Sequence, residues 1–202
     1  MMTKIIIASQ NKGKIEEFYQ LFKPFNVEIL SLLDFPEPLD VEETGKTFEE
    51  NARLKAEAIA KAYDCVAIAD DSGLVIDALD GRPGVYSARY AGEEKDDQKN
   101  IEKVLSELQG VPMEKRTAHF QCVLAISFPG QSTRFVSGQC HGIITEEPVG
   151  THGFGYDPIF YIPEKGKTFA ELDAGDKNQL SHRGKAMEAL KNIWPEIERE
   201  YL

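Results

Sequence analysis

Basic residues are in short supply. The chain carries 23 Lys and Arg against 34 Asp and Glu, a formal charge of −11 at pH 7. A sequence-independent grip on DNA or RNA needs many cations to neutralise phosphates, so that class of function is not expected. A small anionic ligand remains allowed, because the Debye length is ~8 Å at ~0.15 M salt and a few cations beside a phosphate outweigh distant surface acids. Cysteine is scarcer still. Cys65, Cys122 and Cys140 are odd in number, widely spaced and set in or beside apolar stretches, so they suggest neither a disulfide framework nor a thiolate zinc site. They read as buried free thiols. Long apolar runs are missing too. None approaches the ~18 to 20 residues of a membrane span, and the run at residues 4–8 breaks at Ser9, too early for the apolar core of a secretory signal. A soluble, cytoplasmic protein is expected. With no internal repeat, low-complexity tract or linker, the 202 residues read as one domain, and the 42% hydrophobic content is enough for a packed core.

What is present alternates between strand and helix. Residues 4–8 form a β-branched run that fits a buried strand, and residues 14–23 read as a helix with Ile15, Phe18, Tyr19 and Phe22 on one face. A second strand at 27–30 leads into an acidic, Pro-interrupted loop containing Glu42, Glu43 and Gly45. Thr47 and Glu50 make a capping box for a helix whose apolar stripe runs from Phe48 to Tyr63. A third strand at 65–69 is expected to end in a turn at Asp70-Asp71-Ser72-Gly73, with 74–76 as a further strand. A loop at 81–92 and a helix at 97–108 follow. Residues 117–128 and 133–144 read as two long strands around Pro129-Gly130-Gln131-Ser132, a hairpin signal. The chain closes with a Gly- and aromatic-rich loop at 150–158, a short strand at 159–162 and a helix at 181–193. The fold class expected is α/β, with a mixed, partly antiparallel twisted sheet flanked by helices.

Four constellations could carry chemistry. Ser9-Gln10-Asn11-Lys12-Gly13-Lys14 is a polar turn between strand and helix, where backbone N–H groups, the helix dipole and Lys14 attract phosphate. It lacks the glycines of a Walker A loop, and an ordinary helix cap is the plain alternative. Asp70 and Asp71 offer hard oxygens that suit Mg²⁺, with Glu42 or Glu43 as a further ligand, while a simple Asp/Ser/Gly turn is the rival reading. Gly153-Phe154-Gly155-Tyr156-Asp157-Pro158 exposes an aromatic ring on which a purine could stack, beside an acceptor at Asp157, although glycine-flanked aromatics also pack loops against cores. Lys177 with Ser181-His182-Arg183 at a helix start could hold an anion or read a base edge, or could merely cap the helix. Lys55, taken alone, reads as an ordinary exposed lysine. Together these are the parts of a Mg²⁺-dependent nucleotide enzyme.

The same residues bear a family likeness. Ser9-x-Asn11-x-x-Lys14, Glu43-Thr44-Gly45 with Thr47-Phe48-x-x-Asn51-Ala52, Asp70-Asp71-Ser72-Gly73-Leu74, Pro83-Gly84-Val85-Tyr86-Ser87-Ala88-Arg89, Phe154-Gly155-Tyr156-Asp157-Pro158 and Ser181-His182-Arg183 occur in order. The chain resembles the inosine triphosphate pyrophosphatase family over essentially its whole length. The resemblance implies two lobes with a cleft between them and a homodimer. It also implies hydrolysis of non-standard purine nucleoside triphosphates (ITP, dITP, XTP) to the monophosphate and pyrophosphate. By the same resemblance, Ser9, Gln10, Asn11, Lys12, Gly13, Lys14 and Lys55 hold phosphates. Asp71 is the catalytic acid, and with Glu43 the Mg²⁺ ligand, and Ser72 lies next to substrate. Phe154, Gly155, Tyr156, Asp157, Lys177, His182 and Arg183 recognise base and ribose. The one departure is Ser9, where Thr is frequent. Two rivals are a septum-inhibitor-type pyrophosphatase acting on pyrimidine or modified nucleotides and a nucleotide-binding regulator without catalysis. With an ordinary Asp pKa near 3.9, Asp71 is expected to orient water and hold metal more than to act as a base.

Overall fold

A computed structural model describes residues 3–201. The strands are β1 (Thr3–Ile7), β2 (Val27–Ser31), β3 (Val66–Ile76), β4 (Thr117–Ser127), β5 (Arg134–Ile144), β6 (Phe160–Ile162) and β7 (Lys167–Thr168). The α-helices are α1 (Lys12–Phe22), α2 (Phe48–Tyr63), α3 (Asp97–Glu107), α4 (Ala174–Leu180) and α5 (His182–Tyr201). The sheet is open and seven-stranded, in the order β2-β1-β3-β4-β5-β6-β7. β1 pairs parallel to both β2 and β3, whereas β6 pairs antiparallel to β5 and β7. The expected α/β class with a mixed sheet is borne out. The chain divides into two compact units: one runs to Asp71 and takes in Val123–Ser137 and the stretch from Ala186, and the other is Ser72–Cys122 with Gly138–Lys185.

In the first unit the β-branched run of β1 is fully buried at Ile5, Ile6 and Ile7, as expected of a strand with neighbours on both sides. Phe22 and Trp194 meet edge-on with ring centroids 4.6 Å apart, and both are buried. Removing either ring would cost about 3–5 kcal/mol. In the second unit Leu74, Ile76, Ile101, Val104, Phe120, Ile144, Phe160 and Phe169 share one core. Arg116 is buried there with no carboxylate paired to it among the described residues. Its guanidinium instead donates to the carbonyls of Leu108, Val111 and Thr145 at 2.7–3.0 Å, so the end of α3 serves as its counter-charge.

Four expected boundaries are corrected. α1 begins at Lys12 rather than Lys14, because Asn11 caps it by accepting from the Lys14 N–H at 3.1 Å. Lys12, Gly13 and Lys14 therefore belong to the first helical turn. β3 continues through Asp70-Asp71-Ser72-Gly73 without turning. These residues favour turns only locally, and a strand hydrogen-bonded on both sides overrides that preference. Lys177 lies on α4, a helix not anticipated, whose cap is Asp173 accepting from the Asp176 N–H. α5 passes through Pro195 to Tyr201, held by burial of Trp194 and Ile197 and by Arg134 pairing with Glu196 and Glu200. Cys122 and Cys140 are buried and Cys65 is half-buried, with no disulfide among the described residues.

Candidate functional site

In the first unit, β1 delivers the chain to a turn stitched by its own side chains. Ser9 Oγ accepts from the Asn11 N–H at 3.1 Å, and the Ser9 carbonyl accepts from the Leu32 N–H. Gln10, Asn11, Lys12 and Gly13 are exposed at this point, where the first N–H groups of a helix lack intrahelical acceptors. Lys14 projects from the same turn and pairs with Asp70 at 2.7 Å. Adjacent strand residues point to opposite faces, so Asp70 and Asp71 serve different partners.

Asp71 is buried beside Lys55, Glu43 and Asn51. Its pKa is pushed up to about 6, first by burial. Lys55 and the neighbouring Asn51 amide pull it down, whereas Glu43 and Asp70 push it up. The expectation of an ordinary carboxylate is therefore corrected. The cause is desolvation, which sequence spacing does not reveal. Lys55 is likewise not an exposed lysine. Its ammonium donates to Glu43 Oε1 at 2.5 Å and to the Asp70 carbonyl at 2.6 Å. Burial alone would lower its pKa, but Asp70, Asp71 and Glu43 outweigh burial and raise it. The inward acid of the loop is Glu43, half-buried, while Glu42 is exposed.

Asn51 is the residue that sequence reasoning left out of the site. It is fully buried, its Oδ1 accepts from the Gly45 N–H at 2.8 Å, and its amide lies near Asp71. The signal was a polar residue on the apolar stripe of α2. Gly45 is needed for this approach, since a Cβ there would lie 2.6 Å from Asn51 Oδ1. As a cation site, Glu43 and Asp71 supply hard oxygens whose mutual repulsion a divalent ion would relieve, and this donor set fits Mg²⁺. No group of three or more His, Cys, Asp or Glu side chains gathers as a metal site among the described residues. Mg²⁺ here would therefore complete its shell with water and substrate oxygens. A surface pocket of about 360 Å³ elsewhere in the same unit, lined by Lys61, Asp64, Phe128 and Pro129 among others, contains none of these groups.

The second unit holds a different assembly. Phe154 is 66% exposed at the tip of its loop. Its N–H donates to Asp157 Oδ2 at 2.9 Å, and the Gly155 N–H donates to Asp97 Oδ2 at 2.7 Å. Asp157 is buried and also pairs with Lys177, whose ammonium lies 4.9 Å from the Phe154 ring centroid. Gly153 has φ +78°, and a Cβ there would press on both Asp157 and Lys177. Tyr156 is buried, with its hydroxyl donating to the Ser87 carbonyl at 2.7 Å, so it anchors the loop to the core. His182 stacks on Phe120 at 4.9 Å. Arg183 reaches Ser72 Oγ at 3.5 Å, a long contact. Ser181 caps α5 by accepting from the Gly184 N–H at 3.0 Å.

The family model described as the Ham1 family matches residues 5–193. A dITP/XTP pyrophosphatase of Geobacillus kaustophilus is 59% identical over 196 residues, covering 97% of this chain and 96% of that protein. A dITP/XTP pyrophosphatase of Shouchella clausii is 56% identical over 198 residues, covering 96% of this chain and all of its own. Among solved structures, the Staphylococcus aureus Ham1 protein superimposes with a TM-score of 0.91 at 46% identity, covering 96% of this chain and 99% of that one.

Proposed function

The chain belongs to the Ham1 family, and we propose that it hydrolyses non-standard purine nucleoside triphosphates, dITP, XTP and ITP, to the nucleoside monophosphate and pyrophosphate. Support comes from close relatives named dITP/XTP pyrophosphatase. The observation that carries the reading is the cluster of Glu43, Asp71, Lys14 and Lys55 beside a helix N-terminus in the first unit.

Hydrolysis adds water across the α–β phosphoanhydride. The bridging oxygen leaves with one phosphoryl product, and the other phosphorus gains the water oxygen. Such a reaction needs little covalent chemistry from the protein but much charge stabilisation. Lys14 and Lys55 hold phosphate oxygens. A cation ~4 Å from a phosphate charge contributes ~4 kcal/mol at an effective dielectric near 20, before desolvation is subtracted. Mg²⁺ bound by Glu43 and Asp71 would supply further neutralisation and a more acidic bound water. Asp71 orients the attacking water. With its pKa raised to about 6 it remains mostly ionised at pH 7 and accepts a proton more readily than an ordinary Asp. Asn51, which accepts from the Gly45 N–H, holds that loop close to Asp71.

In the second unit, the exposed ring of Phe154 offers a stacking face, and Lys177, His182 and Arg183 supply donors. A donor aimed at the 6-oxo oxygen accepts hypoxanthine and xanthine and rejects adenine, whose 6-amino group is itself a donor, by a factor of up to ~10⁴. The homodimer and the cytoplasmic setting belong to the same proposal and rest on the family resemblance. The test is pyrophosphate release from dITP, XTP, dATP and GTP with and without Mg²⁺. Rapid, Mg²⁺-dependent release from the first two is expected. Equal rates on all four, or binding without release, would overturn the reading.

A further inference from the structure

The outer face of β4 and β5 in the second unit carries an imidazole pair that the proposed reaction does not use. Ala118, Phe120, Cys140 and Ile144 turn inward to the core of that unit, so His119, Gln121, Gln139 and His141 alternate onto the opposite face. The Ile144 N–H donates to the Arg116 carbonyl at 2.9 Å, and the Gln139 amide meets Gln121 at 3.4 Å, two contacts in one antiparallel register. That register sets His119 directly opposite His141. The rings are 5.4 Å apart between centroids and inclined at 37°.

We propose that His119 and His141 together chelate a divalent late transition metal ion, Cu²⁺, Ni²⁺ or Zn²⁺, through two imidazole nitrogens. Imidazole favours these ions over Mg²⁺, which prefers carboxylate and water oxygens, so the chemistry differs from that of Glu43 and Asp71. The surroundings bear on the charge of the pair. His119 has its pKa lowered by burial and by His141, against Asp77 and a hydrogen bond that its ring donates to Gln121, so the balance favours the neutral ring, whose other nitrogen carries a lone pair. Asp77, held by the Thr117 hydroxyl at 2.6 Å, adds a negative field, while Lys185, donating to the Gln139 carbonyl at 2.9 Å, opposes it. No third His, Cys, Asp or Glu completes a cluster among the described residues, so water fills the remaining positions.

The test is calorimetric titration of the untagged full chain with NiCl₂, in an Asp71→Asn background that removes a carboxylate of the other cluster. One ion per chain is expected, undisturbed by excess Mg²⁺. Loss of a ligand should weaken binding at least as much as loss of an outer-shell partner, about 10- to 100-fold, in either His119→Gln or His141→Gln. The double variant should bind none. Histidine signals in an NMR titration with Zn²⁺ check this without substitution: His119 and His141 should shift first. Unchanged Ni²⁺ binding in the double variant, displacement by Mg²⁺, or earlier movement of His152 and His182 would overturn the proposal.

Discussion

The two polar clusters solve opposite physical problems. In the first unit, Lys14, Lys55, Glu43, Asp70 and Asp71 sit on regular elements or on a loop tied to one, and each lysine already has an acidic partner. In the second unit, Phe154 is left open to solvent on a loop held by Asp97, Asp157 and Lys177. Charge that must stabilise a reacting phosphate is worth most when it is desolvated and fixed, and the cost of desolvation is visible as the raised pKa of Asp71. A ring that stacks on a base needs exposed area and can afford a loop.

Asp71→Asn tests the charged cluster most severely. Turnover is expected to fall by roughly 10³-fold or more, the scale of losing a positioned electrostatic group. The same variant should be more stable than the wild type without metal. A folded pKa raised to about 6 from an ordinary value near 3.9 means that ionised Asp71 costs stability. The cost is absent below about pH 4, grows as pH rises toward 6 and is fully present at pH 7. The substitution should therefore gain on the order of 2 kcal/mol at neutral pH. Melting temperatures measured without metal should separate the two proteins at pH 7.5 and bring them together near pH 4. A gap independent of pH would contradict the assigned cause.

Lys55→Met removes the partner of Glu43 and a counter-charge of Asp71. Activity should drop by about 10²-fold. Stability should fall by about 1–3 kcal/mol, less than the 3–5 of a fully buried pair, because both side chains keep some solvent contact. Guanidinium unfolding curves measure the second effect. A variant as stable and as active as the wild type would mean that the lysine is incidental.

Phe154→Ala, at the exposed end of the contrast, should act on affinity alone. A lost base–aromatic stack costs ~1–3 kcal/mol, so KM for dITP should rise about 10-fold or more while the melting temperature stays within a degree or so. A large loss of stability would show that the ring packs the loop instead of waiting for a ligand.

Legibility followed the range of the interaction. The capping box of α2 was readable because Thr47 and Glu50 bond across three residues. The mixed sheet was readable from short apolar runs alternating with helical stripes. The passage of β3 through Asp70–Gly73 was not, since its hydrogen-bonded neighbours come from distant stretches of chain. Lys55 looked like a surface lysine for the same reason: its partners, Glu43 and the Asp70 carbonyl, lie twelve and fifteen residues away. Asn51 stood on an apolar stripe, but its bond to Gly45 and its place beside Asp71 needed coordinates.

Composition, caps and periodicity indicated that this acidic chain folds as α/β and picked out the segments proposed to carry phosphate, carboxylate and aromatic chemistry, because those preferences act over a few residues. Folding assigned the roles within each segment. It set Glu43 inward and Glu42 outward, gave Asp71 its raised pKa, used Tyr156 as an anchor and placed His119 across from His141. Those outcomes depend on burial and on partners far apart along the chain, and a carboxylate or an imidazole takes its properties from both.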